Sequence, residues 1–174
     1  MKFDGIILNG TSSSGKSSIA RYLIKNLQMP IVYMSIDVFL EMVDFRYIDC
    51  LETDGITSNC EKLILGYQRS ALAMNAENNF VLMDHVLQEN SWKQHLNGLG
   101  VLDRFLKVGV YCDLEVAEAR EVARGDRPLG LCRLQHSKVH SGLKYDIVVD
   151  TSATESTEAG EIVLTEILKA MERN

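Results

Sequence analysis

The chain has 174 residues, 46% of them hydrophobic, which is enough for one well-cored domain and short for two. Its formal net charge of -6 and pI near 5.2 exclude nonspecific binding to nucleic acid or anionic membranes as a general property, because the overall field repels phosphate and any positive site must be local. No stretch approaches the ~18 apolar residues of a membrane span, no secretory leader pattern opens the chain, and Cys50, Cys60, Cys112 and Cys132 form neither a CxxC pair nor a zinc spacing. The expectation is a single domain over 1–174, cytoplasmic, with reduced thiols.

Residues 3–9 read as a buried strand that runs through Ile6-Ile7-Leu8 into Gly10-Thr11-Ser12-Ser13-Ser14-Gly15-Lys16-Ser17, the P-loop pattern G-x-x-x-x-G-K-[ST]. Glycines at both ends let the loop turn sharply with its N–H groups aimed inward at a phosphate, Lys16 reaches the β/γ oxygens, and the Ser17 hydroxyl ligates Mg²⁺. Gly10 through Ser18 is therefore the expected phosphate-binding set. Ile19, Ala20, Leu23, Ile24 and Leu27 recur at helical spacing after the loop. Residues 31–34 form a second short strand that ends before Asp37, and 44–58 lack a clean period and read as a loop or flap.

A helix follows over about 59–77, then the apolar strand Phe80-Val81-Leu82-Met83 closed by Asp84. Ser91 is an expected N-cap for a helix through Trp92 and Leu96 that stops near Gly98. Residues 105–111 make strand four. Asp113 is an expected cap for the next helix, which carries Glu115 and Glu118 near its start and Arg120 and Arg124 near its end, with Gly125 as the stop. Residues 126–143 are basic, 145–150 form strand five, and a last helix runs over about 154–171 with capping-box spacing between Ser152 and Glu155. Strands alternating with helices predict a three-layer α/β fold of the P-loop NTPase type, with a five-stranded parallel sheet and helices on both faces. Ligands then belong at the carboxyl ends of the strands.

Two carboxylates are placed at those ends. Asp37 is a candidate base for an acceptor hydroxyl, with helix capping as its alternative, and Asp84 resembles the carboxylate that holds Mg²⁺ beside a P-loop. His85 is a weaker candidate for the acceptor side. Arg120, Arg124 and Arg127 stand where a mobile lid, about 124–142, would place charge over a transferring phosphoryl group. A solvated basic face paired with Glu118 and Glu121 is the alternative. His136 and His140 have the spacing of a metal pair but no third ligand, so zinc is not expected.

Together these stretches resemble the chloramphenicol phosphotransferase family. The resemblance rests on Ile6-Ile7-Leu8-Asn9-Gly10 leading into the loop, Asp37, Cys112-Asp113 with Val116-Ala117-Glu118, Arg120-Glu121, Ala123 to Arg127, Gly130, Gln135, Val139-His140, Gly142, Tyr145-Asp146 and Val149-Asp150-Thr151. It implies a nucleoside-kinase-like fold with a short Arg-rich lid, ATP and Mg²⁺ as cofactors, and transfer of the γ-phosphoryl group to a hydroxylated small molecule. Asp37 then matches the base, Arg124 and Arg127 the lid arginines, and Lys16 and Ser17 the phosphate and Mg²⁺ groups. The chain departs from the family pattern on the acceptor side: Asp84-His85 stands where two aspartates are expected, and the flap at about 43–58 follows its own course. The alternatives are a kinase of a different metabolite, or a nucleotide-binding regulatory module or ATPase. No nucleic-acid or membrane partner is expected, and the oligomeric state is left open.

Overall fold

The computed structural model describes residues 3–44, 58–125 and 129–172. Five strands form one sheet: β1 (Gly5–Asn9), β2 (Val32–Ser35), β3 (Val81–His85), β4 (Phe105–Tyr111) and β5 (Ile147–Asp150). All pairings are parallel, in the order β2-β3-β1-β4-β5, so β1 lies at the centre with β3 on one side and β4 on the other. The helices are α1 (Lys16–Asn26), α2 (Ile36–Glu41), α3 (Ser58–Ala76), α4 (Asn90–Gly98), α5 (Val101–Arg104), α6 (Leu114–Arg124), α7 (Leu131–His136) and α8 (Ser156–Glu172).

Side chains alternate across each strand, so one run of apolar residues feeds two cores. Ile6 and Leu8 of β1 join Leu82, Leu106, Val108 and Val110 beneath α1 and α8, where Ile19, Leu23, Val163 and Ile167 are fully buried. Ile7 faces the other way with Val81, Met83 and Phe105, against Ile64, Tyr67 and Leu96 of α3 and α4. The sheet is thus covered on both faces, as parallel strands without alternating polar residues require.

The predicted strands, the long helices and the three-layer arrangement are present, and several boundaries differ. Glu89, not Ser91, is the N-cap residue of α4. Asp113 does precede α6, yet its side chain makes no capping hydrogen bond. The Ser152 hydroxyl accepts from Asp113 N at 2.8 Å and bonds the Asp150 carboxylate, so it is not free to cap α8, which begins at Ser156. Cys60 is disulfide-bonded, against the expectation of reduced thiols, while Cys112 and Cys132 are free and buried. Most of the flap expected at about 43–58 lies outside the described residues, as does Arg127. No helix among the described residues is long and apolar enough to cross a membrane.

Candidate active site

The loop from Gly10 to Ser17 leaves the end of the central strand and enters α1, whose first residue is Lys16. Gly10 is enforced by close approach: a Cβ there would lie 2.4 Å from the Val110 carbonyl oxygen and 2.7 Å from Ser14 Oγ. Gly15 caps α1 at φ 91°, in the left-handed region that costs a side-chain-bearing residue roughly 1–2 kcal/mol. Ser13 adopts that region too, at φ 59°. Lys16 is only 7% exposed, and its Nζ donates to the Thr11 carbonyl at 2.6 Å, holding the ammonium inside the curve of the loop. The hydroxyls of Thr11, Ser12, Ser13 and Ser14 are buried and have no hydrogen-bond partner. Buried polar atoms left unmet in this way suit a ligand rich in oxygen acceptors.

Asp84 sits beside the loop because β3 pairs with β1 in a register that sets Asp84 opposite Leu8. Its Oδ2 accepts from Ser17 Oγ at 2.9 Å and from the Tyr33 hydroxyl at 3.0 Å, and Oδ1 is 4.0 Å from Lys16 Nζ. Burial pushes the Tyr33 phenol up to about 12, and the neighbouring Asp84 charge adds to the shift, so Tyr33 remains a donor at neutral pH. His85, next in the chain, is fully buried between the rings of Tyr67 and Trp92. Burial, then Lys16, pulls its imidazole down to about 3, and its Nδ1 accepts from Val86 N at 2.8 Å. A neutral, enclosed ring of this kind packs the core, and His85 is not among the residues that line the cavity over α1. Trp92, 4% exposed, is the packing residue expected.

An open cavity of about 810 Å³ lies over α1. It is lined by Ser13, Gly15, Lys16, Ser17 and Ser18 of the loop and α1, by Asp37 from the first turn of α2, by Arg120 and Arg124 of α6 and by residues 151–155. Its walls carry Lys16, Arg21, Arg120 and Arg124 against the carboxylates Asp37 and Glu155, a locally positive surface on a chain of net charge -6. That polarity suits a polyanion. Arg120 is positioned by its own fold: Nη2 donates to the Thr151 carbonyl at 2.7 Å and Nη1 approaches Thr151 Oγ1 at 3.3 Å. Thr151 Oγ1 in turn donates to the Ser14 carbonyl at 2.8 Å, tying the end of β5 to the loop.

The expected lid region divides. Arg124 lines the cavity, whereas none of residues 129–143 does. Instead α7 and the turn after it dock against the far side of the loop. Gln135 Oε1 accepts the Ser12 N–H at 2.7 Å, Cys132 and Val139 are fully buried, and Lys93 of α4 donates to the carbonyls of Lys138 and Ser141 at 2.9 and 2.7 Å. Glu121, 2% exposed, accepts from Gly130 N and Cys132 N and so fixes the start of α7, while Arg133 pairs with Glu118 on the surface. Asn9 closes the arrangement. Its Nδ2 donates to the Val139 carbonyl at 2.9 Å and to Tyr145 Oη at 2.6 Å, and its Oδ1 accepts from Leu87 N at 2.7 Å. His140 stacks on Tyr111 at 3.8 Å, with Nδ1 2.8 Å from Tyr145 Oη. Burial, followed by the charge of Lys16, lowers it to about 4. Among the described residues no group of three or more His, Cys, Asp or Glu side chains forms a metal cluster. The buttressing roles of Asn9, Tyr33 and Lys93 were not read from the sequence. A helix at 131–136 had one signal available, the three- and four-residue spacing of Cys132, Gln135 and Val139.

The strand order, the loop at the end of the central strand and the carboxylates flanking it define a P-loop fold of the kinase type. Solved structures agree in fold: a sugar kinase from Janibacter sp. HTCC2649 (TM-score 0.73, 16% identity, covering 95% of this chain and 94% of that one) and a gluconokinase from Sinorhizobium meliloti 1021 (0.70, 18%, 99% and 96%). A shikimate kinase from Acinetobacter baumannii in complex with shikimate gives 0.66 at 14% identity, covering 98% and 96%. A protein of Mycobacterium tuberculosis H37Rv that bears the name "Putative O-phosphotransferase" is 28% identical over 171 residues, spanning 86% of this chain and 75% of its own. The family described as chloramphenicol phosphotransferase-like protein matches residues 4–168, and the chain belongs to that family.

Proposed function

We propose that the chain transfers the γ-phosphoryl group of ATP to a hydroxyl of a small molecule. The observation that carries this reading is that Asp37, Lys16 and Ser17, delivered by the ends of two different strands, line one cavity. The loop N–H groups and Lys16 hold the phosphates, and Arg120 and Arg124 offset charge on the transferring group. Asp37 orients the acceptor hydroxyl and takes its proton as the new O–P bond forms and the bond to the ADP oxygen breaks. Ser17 and Asp84 supply a hydroxyl and a carboxylate, hard oxygen donors that fit Mg²⁺, which when bound neutralises phosphate charge. On the strength of the family, Arg127, which lies outside the described residues, is a second lid arginine beside Arg124 in sequence, and chloramphenicol is one acceptor to be tried.

The test is incubation with γ-labelled ATP, Mg²⁺ and pooled hydroxylated compounds including chloramphenicol, with label followed into small molecules by mass spectrometry. Label recovered solely as free phosphate would favour an ATPase. Once an acceptor is found, Asp37→Asn is expected to lower kcat by about 100-fold or more while the Kd for ADP stays within about twofold. Undiminished turnover in that variant would remove Asp37 as the base.

A further inference from the structure

We propose that Arg21 binds the α-phosphate of the nucleotide, the phosphate that stays with the product ADP. The inference rests on the phosphotransfer reading above and adds a residue of α1 that lies beyond the P-loop pattern. Asp37, just after β2, and residues 151–155, just after β5, stand at opposite edges of the sheet order β2-β3-β1-β4-β5, and both line the cavity. With the γ-phosphoryl group turned towards Asp37, the α-phosphate and the nucleoside lie on the β5 and α8 side of the loop.

Helix α1 sorts its side chains between those two directions. Ser17 turns towards β3, where its Oγ donates to Asp84 at 2.9 Å. Ser18 is about 100° further round the helix and shares a face with Tyr22, four residues on. Tyr22 packs against α8, since a Cβ on Gly160 would lie 2.5 Å from its ring, so Ser18 belongs to the nucleoside side. Arg21 reaches back over Ser18, as a helical side chain inclines towards the N-terminus, and its Nη2 donates to Ser18 Oγ at 3.1 Å. Both residues line the cavity, and Arg21 is exposed. Two other cations of the cavity are held by the fold: Lys16 Nζ donates to the Thr11 carbonyl, and Arg120 to the carbonyl and hydroxyl of Thr151. Among the described residues Arg21 bonds only the Ser18 hydroxyl, which leaves most of its planar fork of donors for the oxygens of one phosphate. No proton moves and no bond changes at the α-phosphate during transfer. The contact is therefore the same in bound ATP and in the transition state, and it sets affinity rather than turnover.

The experiment is calorimetry on the full chain with ADP and with the two diastereomers of ADP that carry sulfur on the α-phosphate, so no acceptor need be known. EDTA is present, so that no metal ion selects between oxygen and sulfur. Arg21→Gln is expected to weaken ADP about tenfold and to change the ratio of the two diastereomers' Kd values about fivefold, because a directed guanidinium distinguishes the two α oxygens. Arg21→Lys keeps the charge but not the fork, and should change that ratio likewise. The melting temperature of both variants should match the parent, since Arg21 is exposed. An ADP Kd within about twofold of the parent in Arg21→Gln would overturn the proposal. So would weaker binding with an unchanged diastereomer ratio, since a charge acting from a distance weakens both alike. A parent protein that binds no ADP would instead refute the phosphotransfer reading, and this inference would fall with it.

Discussion

Replacing Asn9 by Ala tests whether one buried amide clamps the frame around the phosphate loop. Asn9 is 1% exposed and makes three hydrogen bonds, to the Val139 carbonyl, Tyr145 Oη and Leu87 N, at 2.9, 2.6 and 2.7 Å. A neutral hydrogen bond contributes about 1 kcal/mol net, and a buried partner left unmet costs up to a few times that. The truncation strands an N–H and a carbonyl, while the phenol keeps its bond to His140, so the expected loss is about 3 kcal/mol. For a chain of this length each kcal/mol moves Tm by roughly 2–4 °C, giving a fall of about 10 °C. Urea titration followed by circular dichroism, with a thermal melt alongside, would measure it, and an unchanged m-value would show that only stability has moved. Nucleotide affinity should fall as well, because Gly10 is the next residue. A loss below about 1 kcal/mol would refute the reasoning: the three partners would then be satisfied without Asn9, and the clasp would carry no load.

Two further outcomes are expected. Tyr33→Phe removes one of the two hydroxyl donors to Asp84 Oδ2, so the Mg²⁺ concentration for half-maximal phosphotransfer should rise about fivefold, the equivalent of ~1 kcal/mol, with Tm little altered. An unchanged Mg²⁺ titration would detach Tyr33 from the metal site. The His140 imidazole is held down to about 4 in the fold, chiefly by burial, against an ordinary value of 6.5. Its contribution to stability is present above about pH 6.5 and is lost as the pH falls towards 4, because the unfolded chain takes up the proton first. Urea midpoints at pH 7 and pH 5 should therefore converge in His140→Phe relative to the parent, and identical pH dependence in the two proteins would contradict the assignment.

The sheet was legible because parallel strands buried on both faces are continuous apolar runs, and Ile6-Ile7-Leu8 and Phe80 to Met83 are such runs. The loop was legible because its chemistry demands fixed residue types at fixed spacing. Residues 129–143 were harder to place for the opposite reason: Arg133, His136 and Lys138 are basic, and the buried members of the segment include Gln135, whose value lies in a bond to Ser12 that is 123 residues away. Tyr33 and Asn9 were obscured likewise, since a polar tip on a strand residue declares its use only when its partner is known. The capping readings at Ser91 and Ser152 failed because a hydroxyl of suitable spacing has several backbone groups to choose from, and at Ser152 the neighbouring Asp150 and Asp113 took it.

The placement of β1 at the centre of the sheet sets the timing of assembly. The groups that brace the loop follow it far along the chain: Gln135 bonds Ser12, Val139 bonds Asn9 and Thr151 bonds Ser14 across sequence separations of 123, 130 and 137. Such distant pairings form slowly, because the intervening chain must be ordered before they are rewarded. A nascent or truncated chain can thus carry the whole phosphate motif without the braces that shape it. A nucleotide that recognises only the braced loop stabilises the finished molecule and none of its precursors, so it acts on the folding equilibrium as well as on the chemistry.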